Sequence, residues 1–297
     1  MSVVEMLRKN LPKGAKKYIN KIYKTIKYPH TDCFDLITER NISKYGFSIY
    51  TYKWDGFTNY HIDLFGEYDP ALSNIVWKNI NPKTTFIDVG AHTGWFSMLA
   101  SKKAAEVISF EPNPEMFLIL SLNASRVQNI KPIPMAASDR DGEFVRINIG
   151  RHNNTGNTTI VQENIDRTKT KEAIAITTTI DSAIKRYSKR PDDVFIKIDV
   201  EGYEAKVLRG ARITLQNAEN SKILVEIVPW KIENAGDNPW DLINELANDA
   251  SSAVLFMDGK EHKVHPERLL EEIQKVYNNT KNKKDFKADI YVQKIHG

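Results

Sequence analysis

Along residues 84–135 short apolar blocks alternate with stretches of helical spacing. Thr84–Asp88, Val107–Phe110 and Lys131–Met135 read as strands, and Trp95–Lys102 and Pro114–Ser125 between them read as helices. Such alternation predicts a mostly parallel sheet covered by helices on both faces. The rhythm breaks over 140–180. There Glu143–Ile149 and Ala173–Thr179 read as strands flanking a polar loop, Arg151–Thr159, with a short helix at Asp181–Tyr187. It resumes with strand Val194–Asp199, helix Tyr203–Arg209 and strand Ile223–Ile227. A helix near Trp240–Asn248, a strand Ala253–Phe256 and a terminal strand Asp289–Gln293 complete the pattern. Upstream, Phe47–Tyr52 and Thr58–Leu64 flank Asp55-Gly56 and predict a β-hairpin, with a helix following at Pro70–Lys78.

The first two strands of the alternation carry the most informative chemistry. Thr85–Gly94 reads TFIDVGAHTG, an apolar strand ending in Asp88 and then a glycine turn. About twenty residues on, the next strand ends in Glu111 within Phe110–Pro114. A glycine turn after one strand, with an acid at the tip of the next, binds an adenosine-bearing cofactor, the acid accepting from the ribose hydroxyls. A dinucleotide site would need glycine at two further positions, but these hold His92 and Trp95. No Lys-Ser/Thr pair follows the turn, so the P-loop pattern fails as well. S-adenosylmethionine has no pyrophosphate and does not need the cleared positions, and Asp88 suits its positive groups.

A second constellation lies in Phe195–Glu204. Strand alternation puts Lys197 and Asp199 on one side, with Glu201 just past the tip. Glu226 ends the next strand and should face the same crevice, because ligands of open α/β sheets sit beyond the carboxyl ends of the strands. Three carboxylates and a lysine at neighbouring strand ends read as a catalytic floor, with a buried ion-pair network or a helix cap as the alternative.

The 297 residues, 41% of them hydrophobic, can bury a substantial core. The single cysteine, Cys33, excludes a disulfide framework and a cysteine-based metal site. No apolar run reaches the length of a membrane span, and no secretory leader is evident, so a cytoplasmic location is expected. The net charge of +4 is uneven. Residues 1–30 carry eight Lys/Arg against one Glu, leaving 34 Lys/Arg against 37 Asp/Glu in the remainder. A slightly acidic body is not the footprint of a nucleic-acid binder. Tyr18, Ile19, Ile22, Tyr23 and Ile26 share one helical face among lysines. Two readings of this segment stay open: peripheral contact with an anionic membrane surface, or packing on its own domain.

With these stretches in hand, the chain resembles the FkbM family of S-adenosylmethionine-dependent methyltransferases. The resemblance runs from about Gly66 to Pro229. It rests on FIDVGAHTGWFS (86–97), FEPNP (110–114), Asn123, AASDRDG (136–142), TID (179–181) and IKIDVEGYEAKVLRGA (196–211). It implies a class I, Rossmann-like methyltransferase sheet of seven strands, the last antiparallel, over 41–297, behind a basic, partly helical extension at 1–40. It implies that Asp88, Gly90 and Gly94 line the methionine end, that Glu111 holds the ribose, and that Asn113 and Ala137–Asp139 lie near adenine. His92, where the family usually has a small residue and often asparagine, is counted with the turn. Family members commonly methylate hydroxyl oxygens, often on sugars. A hydroxyl acceptor needs a proton acceptor, and Asp199, Glu201 and Glu226 are the candidates, with His61 and His92 behind them. Lys197 would orient Asp199 or lower an acceptor's pKa. A divalent metal is compatible with the carboxylates but is not favoured, because no tight ligand motif is present. The rival functions are a nucleic-acid methyltransferase, weakened by the lack of an Asn/Asp-Pro-Pro-aromatic motif after Ile198, and a non-catalytic cofactor- or glycan-binding module on the same fold.

Overall fold

A computed structural model describes residues 36–150, 158–161, 170–188, 191–257 and 259–295. The chain divides into an N-terminal unit, Met1–Thr38, and a main unit, Glu39–Gly297, which holds the whole of the large sheet. The basic amphipathic segment of residues 1–30 lies outside the described residues, as does most of the polar loop 151–159.

The main sheet holds eight strands, ordered β12-β11-β13-β10-β9-β3-β4-β5. They are β3 (Thr84–Val89), β4 (Glu106–Phe110), β5 (Ile130–Ile133), β9 (Asp193–Ile198), β10 (Asn220–Ile227), β11 (Ser252–Met257), β12 (Lys260–Val264) and β13 (Ala288–Ile295). Strands β5, β4, β3, β9 and β10 run parallel; β13 runs antiparallel to both β10 and β11, and β12 is antiparallel to β11. The expectation of seven mostly parallel strands is therefore corrected to a mixed sheet of eight. The added strand, β12, is short, charged and at the edge, so no apolar alternation marks it.

Strand alternation divides the core in two. Phe86, Val107, Phe195 and Leu224 face α1 (Gly56–Phe65), α2 (Pro70–Asn79) and α3 (Trp95–Ser101). Ile87, Ile108, Ile196 and Ile223 face the other side. There they meet α5 (Ile180–Tyr187), α6 (Glu204–Arg209), α8 (Pro229–Asn234), α9 (Pro239–Ala247) and α10 (Leu269–Asn279). α4 (Pro114–Ala124) follows β4, and α7 (Arg212–Asn217) follows α6. The charged helix α10 and the short α7 and α8 were not foreseen from the pattern.

One local expectation changes. The hairpin pairs β1 (Ile37–Ile42) with β2 (Phe47–Tyr52), and Thr58–Leu64 is helical, within α1. Asp55 is an N-cap, its side chain accepting from the Thr58 N–H at 3.2 Å, and Gly66 closes the helix at φ 72°. Thr58, Asn59 and Ile62 form the buried stripe, a helical spacing hidden beneath the apparent alternation Tyr60, Ile62, Leu64. The two strands expected where the rhythm breaks are present as β7 (Phe144–Gly150) and β8 (Thr170–Thr178), apart from the main sheet. They join β6 (Ala136–Ala137) in a small sheet ordered β6-β8-β7.

Candidate active site

The carboxyl ends of the central strands are stitched together. The N–H groups of Gly90 and Ala91 both donate to the Phe110 carbonyl at 3.0 Å, and the Asp199 N–H donates to Val89 O at 3.0 Å. Gly90 has φ +77°, and a Cβ there would stand 1.9 Å from the Asp199 carbonyl oxygen, so only glycine lets the turn lie against the tip of β9. A cavity of about 610 Å³ opens above these tips.

Glu111 stands in the cavity wall. Its Oε2 accepts from the His92 N–H at 2.7 Å and its Oε1 from the Asn113 N–H at 2.8 Å. The glycine turn thus orients the acid on the next strand. Burial pushes the Glu111 carboxyl up to about 7, against the pull of the two N–H donors. His92 is held at φ 53° in the turn, and burial lowers its imidazole pKa.

At the other end, Lys197 of β9 is 5% exposed and donates to Asp199 Oδ2 at 3.1 Å, so the i,i+2 contact does form. Its ammonium lies over the Phe96 ring at 4.8 Å, and its backbone stands opposite Asp88 in the β3–β9 register. Burial pulls the Lys197 pKa down, but Asp199 and Asp88 outweigh it and hold the amine above its ordinary value. Burial likewise raises Asp199, and Lys197 and Lys287 outweigh it and hold that carboxyl low. Glu226, at the tip of β10, pairs with Lys287, and Glu201 pairs with Lys231. Burial, then the neighbouring Asp199, raise the Glu226 pKa. Ligand atoms of Asp199, Glu201 and Glu226 lie within 4.8 Å of one another. Glu201 is at φ 58°, a left-handed conformation that few non-glycine residues adopt.

The cavity therefore gathers Gly90, His92, Glu111, Ala137, Lys197, Asp199, Glu201 and Glu226 of the expected residues. Four others stand outside its wall. Asp88 is fully buried, its Oδ2 accepting from Ser97 at 2.6 Å and its Oδ1 without a partner. Gly94, at φ +90°, starts α3 against Leu120. Asn113 caps α4 through the Glu115 N–H at 3.0 Å and donates to Thr158 at 3.1 Å. Asp139 accepts from Arg209 at 3.0 Å in a neighbouring depression. His61 is not itself in the wall but packs against Phe57 and Tyr68, which are, and against Phe65. Trp95, in the third glycine slot, is 3% exposed and donates to Ser73 at 2.8 Å.

Sequence reading missed Asp55, Tyr68, Phe96, Trp230, Lys231 and Lys287, all in the wall. Trp230 and Lys231 directly follow the tip of β10, which was a usable signal. Lys287 had none: it precedes β13, and only the antiparallel course of that strand brings its start to the same edge as the other strands' ends.

A family model for the FkbM methyltransferase domain matches residues 88–261, more than half of the chain. The chain belongs to this family. It is 26% identical over 186 residues to the hexuronic acid methyltransferase AglP of Haloferax volcanii, which covers 62% of this chain and 70% of that protein. Among solved structures, the methyltransferase FkbM of Methylobacillus flagellatus gives a TM-score of 0.37 at 14% identity over 72% of this chain, which spans 44% of that one. A Streptococcus mutans protein in complex with SAH gives 0.42 at 9% identity, over 75% of this chain and 95% of its own. The glycine turn, Glu111, Lys197, Asp199, Glu201 and Glu226 all fall within the family match, whereas Asp55 and Lys287 lie outside it.

Proposed function

We propose that this chain transfers a methyl group from S-adenosylmethionine to a hydroxyl oxygen of a sugar or glycan. Glu111 is the observation that carries the donor half. Each of its oxygens takes one backbone N–H, which leaves a lone pair on each for a vicinal diol. Burial raises the carboxyl to about 7 despite these two donors, and two ribose hydroxyls would add the further donors that favour its ionised form. Gly90 lets the turn close on the tip of β9 beside it, and the small Ala137 stands in the same wall. Glu111, Gly90, His92 and Ala137 would hold the donor in the wall, with Asp88, Gly94, Asn113 and Asp139 supporting them from behind.

When bound, the donor supplies an electrophilic methyl group on a sulfonium. The chain's own task is alignment and proton removal. Glu226, raised by burial and by Asp199, is the more basic carboxylate and takes the acceptor's hydroxyl proton. Asp199, held low by lysines, stays ionised and fixes the position of Lys197.

The carboxylates do not make a strong case for a metal. Asp199, Glu201 and Glu226 are paired one to one with Lys197, Lys231 and Lys287, so their charge is already offset and a dication would stand among three ammonium groups.

The sugar reading is supported by the relative named for a hexuronic acid. It is supported also by Trp230 in the wall, with Lys284 5.4 Å and Lys231 5.9 Å from its ring centre. An indole face among cations suits the CH face and carboxylate of an acidic sugar. The decisive experiment is calorimetric titration with S-adenosylhomocysteine. Wild type should bind, and Glu111→Ala should lose at least tenfold in affinity, equivalent to about 1.4 kcal/mol. Undiminished binding by that variant would remove the donor assignment. Uronic-acid and neutral glycans offered in a methyl-transfer assay would then separate acceptor classes.

A further inference from the structure

The sequence puts Asp88 forward as the partner of the donor's positive groups, but the structure seals Asp88 behind the turn. It is fully buried, absent from the cavity wall and opposite Lys197 in the sheet. Another carboxylate is placed where Asp88 is not. Asp55, ahead of α1, stands in the wall together with Thr58, Gly90, Ala91 and His92. It is 2% exposed. Its Oδ1 caps α1, while its Oδ2 has no hydrogen-bond partner, and no Lys or Arg pairs with it among the described residues.

A buried carboxylate with half its acceptor capacity unused and no counter-ion is costly, and in a cavity wall that cost is relieved by a cationic ligand group. The other carboxylates of the wall are provided for, and Asp285 is exposed to water. Asp199, Glu201 and Glu226 have lysines, and Glu111 has two backbone N–H donors. The cation that answers Asp55 must donate hydrogen bonds, because Oδ2 lacks a donor. An ammonium qualifies and a sulfonium, which has no N–H or O–H, does not.

We propose that Asp55 binds the α-ammonium group of the donor's amino-acid arm. The proposal rests on the methyl-donor reading above and adds a residue outside the span matched by the family model. It makes the N-cap of α1 part of the donor site, so that the helix start and the glycine turn clasp the amino-acid arm between them.

The test is calorimetric titration of S-adenosylhomocysteine and of 5′-methylthioadenosine, which lacks the amino-acid arm, into wild type, Asp55→Asn and Asp55→Ser. Asn and Ser cap helices about as well as Asp, so the thermal unfolding midpoints should stay within about 3 °C of wild type. Loss of a charge-assisted hydrogen bond should weaken S-adenosylhomocysteine binding on the order of ten- to a hundredfold in both variants. Binding of 5′-methylthioadenosine should not change. Equal affinity of wild type and variants for S-adenosylhomocysteine would overturn the proposal. So would a loss of the same size for both ligands, which would mean a structural effect. Wild type that binds neither ligand would overturn the donor reading itself, and the assignment of Asp55 with it.

Discussion

At the scale of single residues, the site is a set of carboxylates whose environments push them in different directions. Asp199 is held low by lysines, Glu226 is raised by burial and by Asp199, and Glu111 is raised to about 7 by burial. Such divergence separates roles. Glu226→Gln should therefore lower kcat roughly a hundredfold or more. Its affinity for S-adenosylhomocysteine should stay unchanged, which single-turnover assays and calorimetry can check together. Glu111 makes a different prediction. Hydroxyl donors favour its ionised form, so the ligand binds best once the proton is gone. Affinity for S-adenosylhomocysteine should fall about tenfold from pH 8 to pH 6, as the pH drops through 7. Titrations at both pH values test this, and Glu111→Gln should flatten the difference.

At the scale of elements, α1 shows how tertiary context chooses between two periodicities. A strand over Thr58–Leu64 would place Tyr60, Ile62 and Leu64 on one face and bury them together. The helix buries Ile62, at 7% exposure, and leaves Tyr60 and Leu64 at 61% and 56%. Ile62→Ala should cost about 2–4 kcal/mol. Leu64→Ser should fall within about 0.5 kcal/mol of wild type. Urea unfolding of the two variants decides the matter, since a shared strand face would make both costly. The hairpin is tied to the site by Asn123 of α4. Its side chain accepts from the Tyr50 N–H at 2.7 Å and donates to Tyr50 O at 3.0 Å and Thr93 O at 2.8 Å. One asparagine thus links β2 to the turn that precedes α3.

At the scale of the whole molecule, stability is spent on buried carboxyls. Glu204, 3% exposed, accepts from the Gly202 N–H at 3.0 Å while its Oε2 has no partner, and burial pushes its carboxyl up to about 8. A carboxyl raised on folding binds its proton more tightly in the native state than in the unfolded chain. Its contribution is complete below the unfolded pKa of 4.5 and is lost as pH rises through the folded value. Glu111 acts in the same direction with a folded value about one unit lower. The thermal midpoint should therefore decline between pH 5 and pH 9, and Glu204→Gln should make that decline shallower. Scanning calorimetry across the range checks both. No helix among the described residues is long and apolar enough to cross a membrane.

Much of this was legible in the chain because the signals were local. Apolar blocks at strand spacing located β3, β4, β9, β10, β11 and β13. The glycine turn, Glu111 and the run Lys197–Glu201 marked one edge of the sheet, because residues just beyond parallel strands share an edge wherever the helices go. What needed the tertiary structure was whatever depends on an element's neighbours. The helical state of α1 came from its packing. The edge strand β12 is held by its hairpin partner β11, which is itself docked on β13, and the small separate sheet joins β6 to the distant β8. Lys287 reaches the cavity because β13 runs backwards. Asp88 is withdrawn from the wall and Asp55 placed in it because burial is a property of surroundings, and a sequence lists residues without saying what will cover them.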